Sequence, residues 1–311
     1  NIPNLNLFYN IDKEENQING NGESFQIPVD FKWSKNFIEK QVSNLKINFE
    51  KINLDLENII IDENEKKLGK NILAVGNAKF FTDFSFQKNS IKFNSNNSKI
   101  VNSLIEYDGI INLKPFYIDL NIVLEKINLN KFILKNTILK EIIFSKILFD
   151  KNLSAKVNLK SENLKKNKLF DIVDLNFNIN GGVIELNNSI LENKKIGKLI
   201  LENSSLGFEN EELIFTGYFN FNIKNQKEFY RTFVVPKRNR KNLKNIEFNI
   251  EYNLNRNLMK IIDITLNDKP SKNVENIENI IRVYNNQDRV KIKNWIDLKG
   301  LVNKIFNNYF G

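Results

Sequence analysis

Apolar and polar residues alternate with a period of two along most of the chain, which is the pattern of strands with one dry and one wet face. Residues 116–124, 213–223 and 246–254 show it most clearly. Antiparallel meanders have such alternation, whereas buried parallel strands are apolar on both faces. The sequence therefore predicts a mainly β protein whose long antiparallel strands share one apolar face.

The longest alternation keeps one parity from Ile72 to Phe86. At about 3.4 Å per residue, it predicts a single strand of roughly 50 Å. Elsewhere the parity flips between Phe49 and Ile52, which predicts a bulge or turn. The residues Asn180, Gly181 and Gly182 predict a turn after the strand that ends at Ile179.

Two segments depart from the period of two. In residues 127–150 the apolar positions follow helical spacing and predict one amphipathic helix, and residues 269–311 predict a terminal helical segment. The expected organisation is thus an N-terminal β part over residues 1–126, the helix over 127–150, a second β part over 151–268 and the helical end over 269–311.

The composition argues against catalysis. The chain has no Cys and no His, which excludes thiolate chemistry and removes the commonest general base and metal ligand. No glycine-rich phosphate loop is present, because Gly69-Lys70 and Gly20-Asn21-Gly22 both lack the remaining glycines. Paired carboxylates or a Ser with a Lys base stay open, but no residues are singled out for them. We expect no enzyme activity, no catalytic residue, no metal and no cofactor.

The net charge of +9 is weak support for a polyanion partner, since Lys, Asn and Ile are all abundant and Asp and Glu lie among the Lys residues. We expect no nucleic acid partner. No apolar run reaches the roughly 18 residues that span a bilayer. Because the sequence opens at Asn1 and not at Met, any membrane anchor is expected upstream of it.

One basic cluster, Lys237, Arg238, Arg240 and Lys241, follows Pro236 between two predicted strands. It has two interpretations. One is a charged hairpin loop in solvent. The other is a contact for anionic lipid head groups.

The apolar face also leaves two alternatives, a sealed sandwich core and an open trough that shelters acyl chains. The candidate trough-lining residues are those at the apolar positions of the clearest strands: Phe80, Phe84, Phe86, Phe116, Ile118, Leu120, Phe177, Ile179, Phe215, Phe219, Phe221, Phe248, Ile250 and Ile264.

Residues 172–266 resemble the C-terminal region of AsmA-like proteins of alphaproteobacteria. The resemblance rests on the Gly181-Gly182 turn, the "KIGKL" step from Lys195 and the "FYRTFVVPKRNRK" segment from Phe229. It implies an elongated, curved β-sheet that forms a groove, the β-taco-like fold. It also implies that the protein lies in the periplasm and is tethered to the inner membrane by an upstream segment. It also implies a part in carrying phospholipid or another acyl-chain lipid towards the outer membrane, or in outer-membrane biogenesis, with envelope proteins as possible partners. The alternative is a structural β-sandwich that joins envelope proteins and carries no lipid.

Overall fold

The structure is a computed structural model, and it describes residues 4–24, 27–37, 41–63, 66–100, 103–126, 144, 146–164, 170–256, 258–267, 269–270, 282, 300 and 302–303. Strands account for 70% of the chain and helices for 9%. The predicted mainly β class is therefore confirmed. None of the helices in the described part is both long and apolar enough to cross a bilayer.

The chain divides into two compact units, unit 1 over Asn1–Lys126 and unit 2 over Ile127–Gly311. Unit 1 is a meander in which each strand pairs with the next in antiparallel register. Its strands are β1 (Asn4–Asn10), β2 (Glu15–Ser24), β3 (Ile27–Asn36), β4 (Gln41–Phe49), β5 (Leu54–Glu63), β6 (Lys66–Val75), β7 (Ala78–Gln87), β8 (Ser90–Ile100), β9 (Ser103–Leu113) and β10 (Phe116–Leu124).

The register of unit 1 places its apolar side chains in rows across the sheet. One row of directly paired residues runs Phe31, Ile47, Leu56, Leu73 and Phe80 through five strands. Paired residues point to the same face, and their neighbours in sequence point to the opposite one. The period of two in the sequence thus becomes one apolar face and one polar face.

The single long strand predicted for residues 72–86 is wrong. A two-residue turn at Gly76 and Asn77 divides the run into β6 and β7, and Val75 pairs with Ala78. Gly76 has a φ of +52°, a left-handed conformation that glycine adopts without a steric penalty. The turn also moves Ile72 and Ala74 to the face opposite Phe80, although all three share one parity in the sequence.

Unit 2 contains nine described strands, also in antiparallel register. β13 and β14 lie end to end between β12 and β15, and β15 to β18 then form a meander. The strands are β11 (Ala155–Ser161), β12 (Ile172–Asn180), β13 (Val183–Glu185), β14 (Ser189–Asn193), β15 (Gly197–Glu209), β16 (Glu212–Ile223), β17 (Asn245–Asn253), β18 (Leu258–Leu266) and β19 (Lys269–Pro270).

The connection from β16 to β17 covers part of the unit 2 sheet. It contains the helix α1 (Gln226–Thr232) and a 3₁₀ helix (Lys237–Asn239). We call residues 224–244 the cap segment. Its side chains Phe229, Tyr230, Phe233, Val235 and Leu243 are buried and form a core cluster with sheet residues, among them Phe221, Ile264 and Leu266.

The amphipathic helix predicted over residues 127–150 lies mostly outside the described residues. Within it Phe144 is helical and Ile147–Phe149 is a 3₁₀ helix. The terminal helical segment predicted for 269–311 also lies mostly outside them, where Val302 is helical and packs against the core cluster. At its start, Lys269–Pro270 is a short strand instead.

Candidate functional site

All six candidate lining residues of unit 1 lie on its apolar face. Phe84 pairs with Phe93, and this row continues through Gly109 to Leu120. A second row joins Phe86 through Ile91 and Ile111 to Ile118. Phe80 has the same parity as Phe84 and Phe86 in β7. Phe116 has the same parity as Ile118 and Leu120 in β10. The register thus places together, on one surface, residues that lie up to 40 positions apart in sequence.

Little of the described part of the chain covers the apolar face of unit 1. Among its described hydrophobic residues, Ile105 and Leu124 are buried, while Phe31, Phe80 and Phe84 are only half-buried. Exposure is greater at both end strands, where Leu7 of β1 is 69% exposed and Phe116 of β10 is 44% exposed. A closed sandwich would bury these side chains almost completely. Within the described residues, this face is therefore an accessible apolar surface.

Phe rings lie flat against this face because glycines lie beside them on neighbouring strands. A Cβ on Gly69 would come within 2.1 Å of Cζ of Phe84, and a Cβ on Gly20 within 2.6 Å of Cζ of Phe31. Phe93 covers Gly109 in the same way. A ring over a strand glycine shields the exposed backbone and supplies the packing that glycine lacks.

The eight candidate lining residues of unit 2 also share one face, but the structure separates them by burial. Phe177, Phe215, Phe219, Phe248 and Ile250 are half-buried, whereas Ile179, Phe221 and Ile264 are buried. Phe221 and Ile264 belong to the core beneath the cap segment, so no trough reaches them in this conformation. The alternation pattern predicts no covering layer here, and the cap segment supplies one.

The sequence contains a helix-start signal for α1, which the search for alternating apolar residues does not detect. Asn225 is the N-cap, and its side-chain oxygen accepts a hydrogen bond from the backbone N–H of Glu228 at 3.2 Å. Asn followed three residues later by Glu resembles a capping box. Phe229, Tyr230 and Phe233 then recur at helical spacing and bury one side of the helix.

The four predicted head-group contacts, Lys237, Arg238, Arg240 and Lys241, are exposed on the cap segment. Arg240 is held in place, because its Nε donates a hydrogen bond to the carbonyl of Val235 at 2.9 Å. Its guanidinium also lies 5.9 Å from the centroid of the Tyr230 ring. The connection joins the paired antiparallel strands β16 and β17, as a hairpin loop does, but it is folded and packed. Both interpretations of the four exposed side chains, a charged loop in solvent and a head-group contact, stay predictions.

A second basic group, absent from the prediction, lies at the start of the cap segment. Lys194, Lys195, Lys224, Lys227 and Arg231 line a surface cavity of about 780 Å³. The turn after β14 meets the cap here, because the backbone N–H of Lys224 donates to the carbonyl of Ile196 at 2.8 Å. Contacts between distant segments build this cluster, so sequence spacing alone could not reveal it.

The polar face of unit 1 has a cavity as well, of about 720 Å³. Its lining includes Asn19, Asp30, Asn48 and Asp55 from four successive strands. It also includes Phe31, Ile47 and Leu56, which belong to the apolar row. None of the fourteen candidate lining residues borders it. This cavity therefore lies apart from the candidate lining residues.

Two tyrosines of unit 2 have raised pKa values. Burial raises the pKa of Tyr230, and a hydrogen bond with the backbone of Lys241 and the charge of Arg240 partly oppose that change. Burial alone raises the pKa of Tyr252. In the part of the chain that the structure describes, no three His, Cys, Asp or Glu side chains come together as a metal site.

Comparison with known proteins adds no relative. No family model, no curated protein and no solved structure matches the chain.

Proposed function

We propose that the protein binds lipid passively on its apolar face and conducts it along the cell envelope, between the inner and outer membranes. The observation that carries the proposal is the apolar face of unit 1, whose aligned Phe, Ile and Leu side chains are only half-buried. The location in the periplasm and the tether upstream rest on the resemblance to AsmA-like proteins. No side chain has a catalytic role in this proposal.

The energetics favour an acyl chain as the ligand of such a face. Each CH₂ group gains about 0.8 kcal/mol on leaving water, so an acyl chain in water carries a penalty on the order of 10 kcal/mol. Rows of apolar residues that cross successive strands let a chain remain in contact with protein as it moves. Half-buried Phe rings lying flat over glycines provide a smooth surface for this contact.

The experiment is lipid extraction and native mass spectrometry of the purified protein. Co-purified phospholipid, displaced when Phe84 and Leu120 are replaced by Asp, would support the proposal. Matched controls are Asp83→Asn and Asn121→Asp, at neighbouring positions whose side chains point to the polar face. A folded native protein without lipid, and without uptake from added phospholipid, would refute it.

A second candidate is a structural module that joins envelope proteins without lipid. β1 favours it, because Leu5, Leu7 and Tyr9 on one face and Phe8 on the other are all more than half exposed. Among the described strands β1 pairs with β2 alone, and it contains no charged residue or proline, the usual protection of a strand at a sheet edge. A Leu7→Lys substitution that abolishes assembly with an envelope protein but leaves lipid content intact would favour this candidate.

A further inference from the structure

The cap segment carries most of the net charge of the protein. Residues 224–244 contain eight Lys and Arg and one Glu, a net charge of +7 out of +9 for the whole chain. The one acid, Glu228, is paired with Arg231 at 2.5 Å, so it neutralises one cation. The other 290 residues are nearly neutral. The positive charge is therefore localised on one folded element.

The cap segment directs all these cations outward. Lys224, Lys227, Lys237, Arg238 and Lys244 are exposed, as are the remaining three, Arg231, Arg240 and Lys241. Lys194 and Lys195 add two further cations, since their turn is hydrogen-bonded to the start of the cap through Ile196. Like charges gathered on one folded segment repel one another, and an anionic partner removes that repulsion.

An apolar residue projects from the same segment. Val234 is 62% exposed, between Phe233 and Val235, which are almost fully buried. Its φ is +57°, a conformation that is strained for a β-branched residue. The strained backbone keeps the Val234 side chain in solvent while both neighbours anchor the core. A bilayer interface accommodates both kinds of group, because its hydrocarbon region solvates an exposed apolar side chain and its anionic phosphate groups attract the nearby cations.

The cap aromatics argue against a nucleic acid partner. Proteins that bind single strands present aromatic rings on which bases stack. Phe229, Tyr230 and Phe233 are the aromatic residues of the cap, and all three are at least 96% buried. The surface therefore offers charge and one aliphatic side chain, but no stacking platform.

We propose that the cap segment docks the protein onto a membrane surface rich in anionic phospholipid, with Val234 entering the interface and the surrounding Lys and Arg contacting phosphate groups. This docking goes beyond lipid binding by the apolar face and does not require it. Either property could be present without the other, and separate measurements detect them.

The test is co-sedimentation of the full chain with phosphatidylcholine vesicles that contain or lack phosphatidylglycerol. We expect binding only to the anionic vesicles, weakened as salt rises because exposed charges are screened. Joint replacement of Lys224, Lys227, Lys237 and Arg238 by Gln should lower the affinity at least tenfold, since each cation near such a surface contributes about fivefold. Binding that is equal on both vesicle types would overturn the proposal, as would binding to RNA without binding to vesicles.

The matched control removes four charges elsewhere. Lys88, Lys92, Lys99 and Lys114 are exposed residues of unit 1, and their joint replacement by Gln gives the same net charge. This variant should bind anionic vesicles almost as the native protein does. An equal loss in both variants would show that total charge, and not the cap, governs binding.

Val234→Gly separates docking from folding. Glycine adopts a positive φ without strain, so the variant should be at least as thermally stable as the native protein. Loss of the apolar side chain should nevertheless weaken vesicle binding by about threefold to tenfold. Unchanged binding by a folded Val234→Gly protein would refute insertion of this residue.

Discussion

The rings of Phe219 and Phe248 stack across β16 and β17, with centroids 4.9 Å apart and planes only 7° apart. Both side chains are half-buried on the apolar face of unit 2. Two positions further along β16, Phe221 is 7% exposed and its ring lies 5.7 Å from that of Phe229 in α1. The same strand thus passes from an accessible apolar surface to a sealed core within two residues.

Aspartate substitutions should distinguish these two environments. We expect Phe219→Asp combined with Phe248→Asp to leave a folded protein, because the carboxylates can reach water, and to weaken lipid binding. Phe221→Asp should lower the free energy of unfolding by about 3–5 kcal/mol or prevent folding, since it buries a charge and leaves a cavity. Denaturant unfolding and lipid extraction measure the two effects. Unfolding of the double variant would instead indicate that the stacked pair is sealed core.

The period of two in the sequence was sufficient to predict the mainly β class and the apolar face of the clearest strands, because side-chain direction alternates regardless of tertiary context. It failed where a turn or bulge changes the register. Gly76 and Asn77 reverse the chain within a run that looks continuous. Ile262, at a register shift opposite Asn249 and Ile250, is 50% exposed although its parity matches that of buried Ile264.

The sequence predicts only part of the candidate site. Local alternation identifies which residues can share an apolar face, but it does not reveal what covers that face. The cover over Phe221 comes from α1, which is only seven residues long and too short for a strong periodic signal. The turn at Lys194 and Lys195 joins the cap segment through backbone hydrogen bonds between residues far apart in the sequence. Such contacts cannot be recognised from a single sequence.

The contact between Gly69 and Phe84 predicts a stability effect in unit 1. Gly69→Ala places a Cβ against the Phe84 ring, so the ring must move and we expect a loss of about 1–3 kcal/mol. Gly207→Ala is the control, because its Cβ would meet only Val183 Cγ2 at 3.8 Å. Chemical denaturation measures both. Adding Phe84→Leu should recover part of the loss, and additive effects would contradict a steric origin.

The N-cap of α1 predicts a local effect on the cap segment. Asn225→Ala removes the acceptor for the Glu228 N–H and should cost about 1 kcal/mol. Asn225→Asp keeps an acceptor and places a negative charge at the helix start, so its stability should match that of the native protein. Hydrogen exchange of the Phe229 and Phe233 amides reports on α1. Equal protection in the Ala and Asp variants would show that the cap hydrogen bond is unimportant.

The buried hydroxyl of Tyr230 predicts a loss of stability at alkaline pH. Its pKa in the folded protein is raised above the ordinary value of 10.0, so the unfolded chain loses this proton at a lower pH than the folded chain does. The stabilisation is complete below pH 10 and falls as the pH rises from there towards the raised pKa. Tyr230→Phe should therefore show a shallower decline in melting temperature above pH 10.

At neutral pH the same substitution should cost about 1 kcal/mol, because the hydrogen bond from the Tyr230 hydroxyl to the carbonyl of Lys241 is lost. Tyr252→Phe provides the comparison. Burial also raises the pKa of Tyr252, so this variant should flatten the alkaline decline too. If Tyr230→Phe melts with the native pH dependence, ionisation of Tyr230 does not limit the stability of the cap segment.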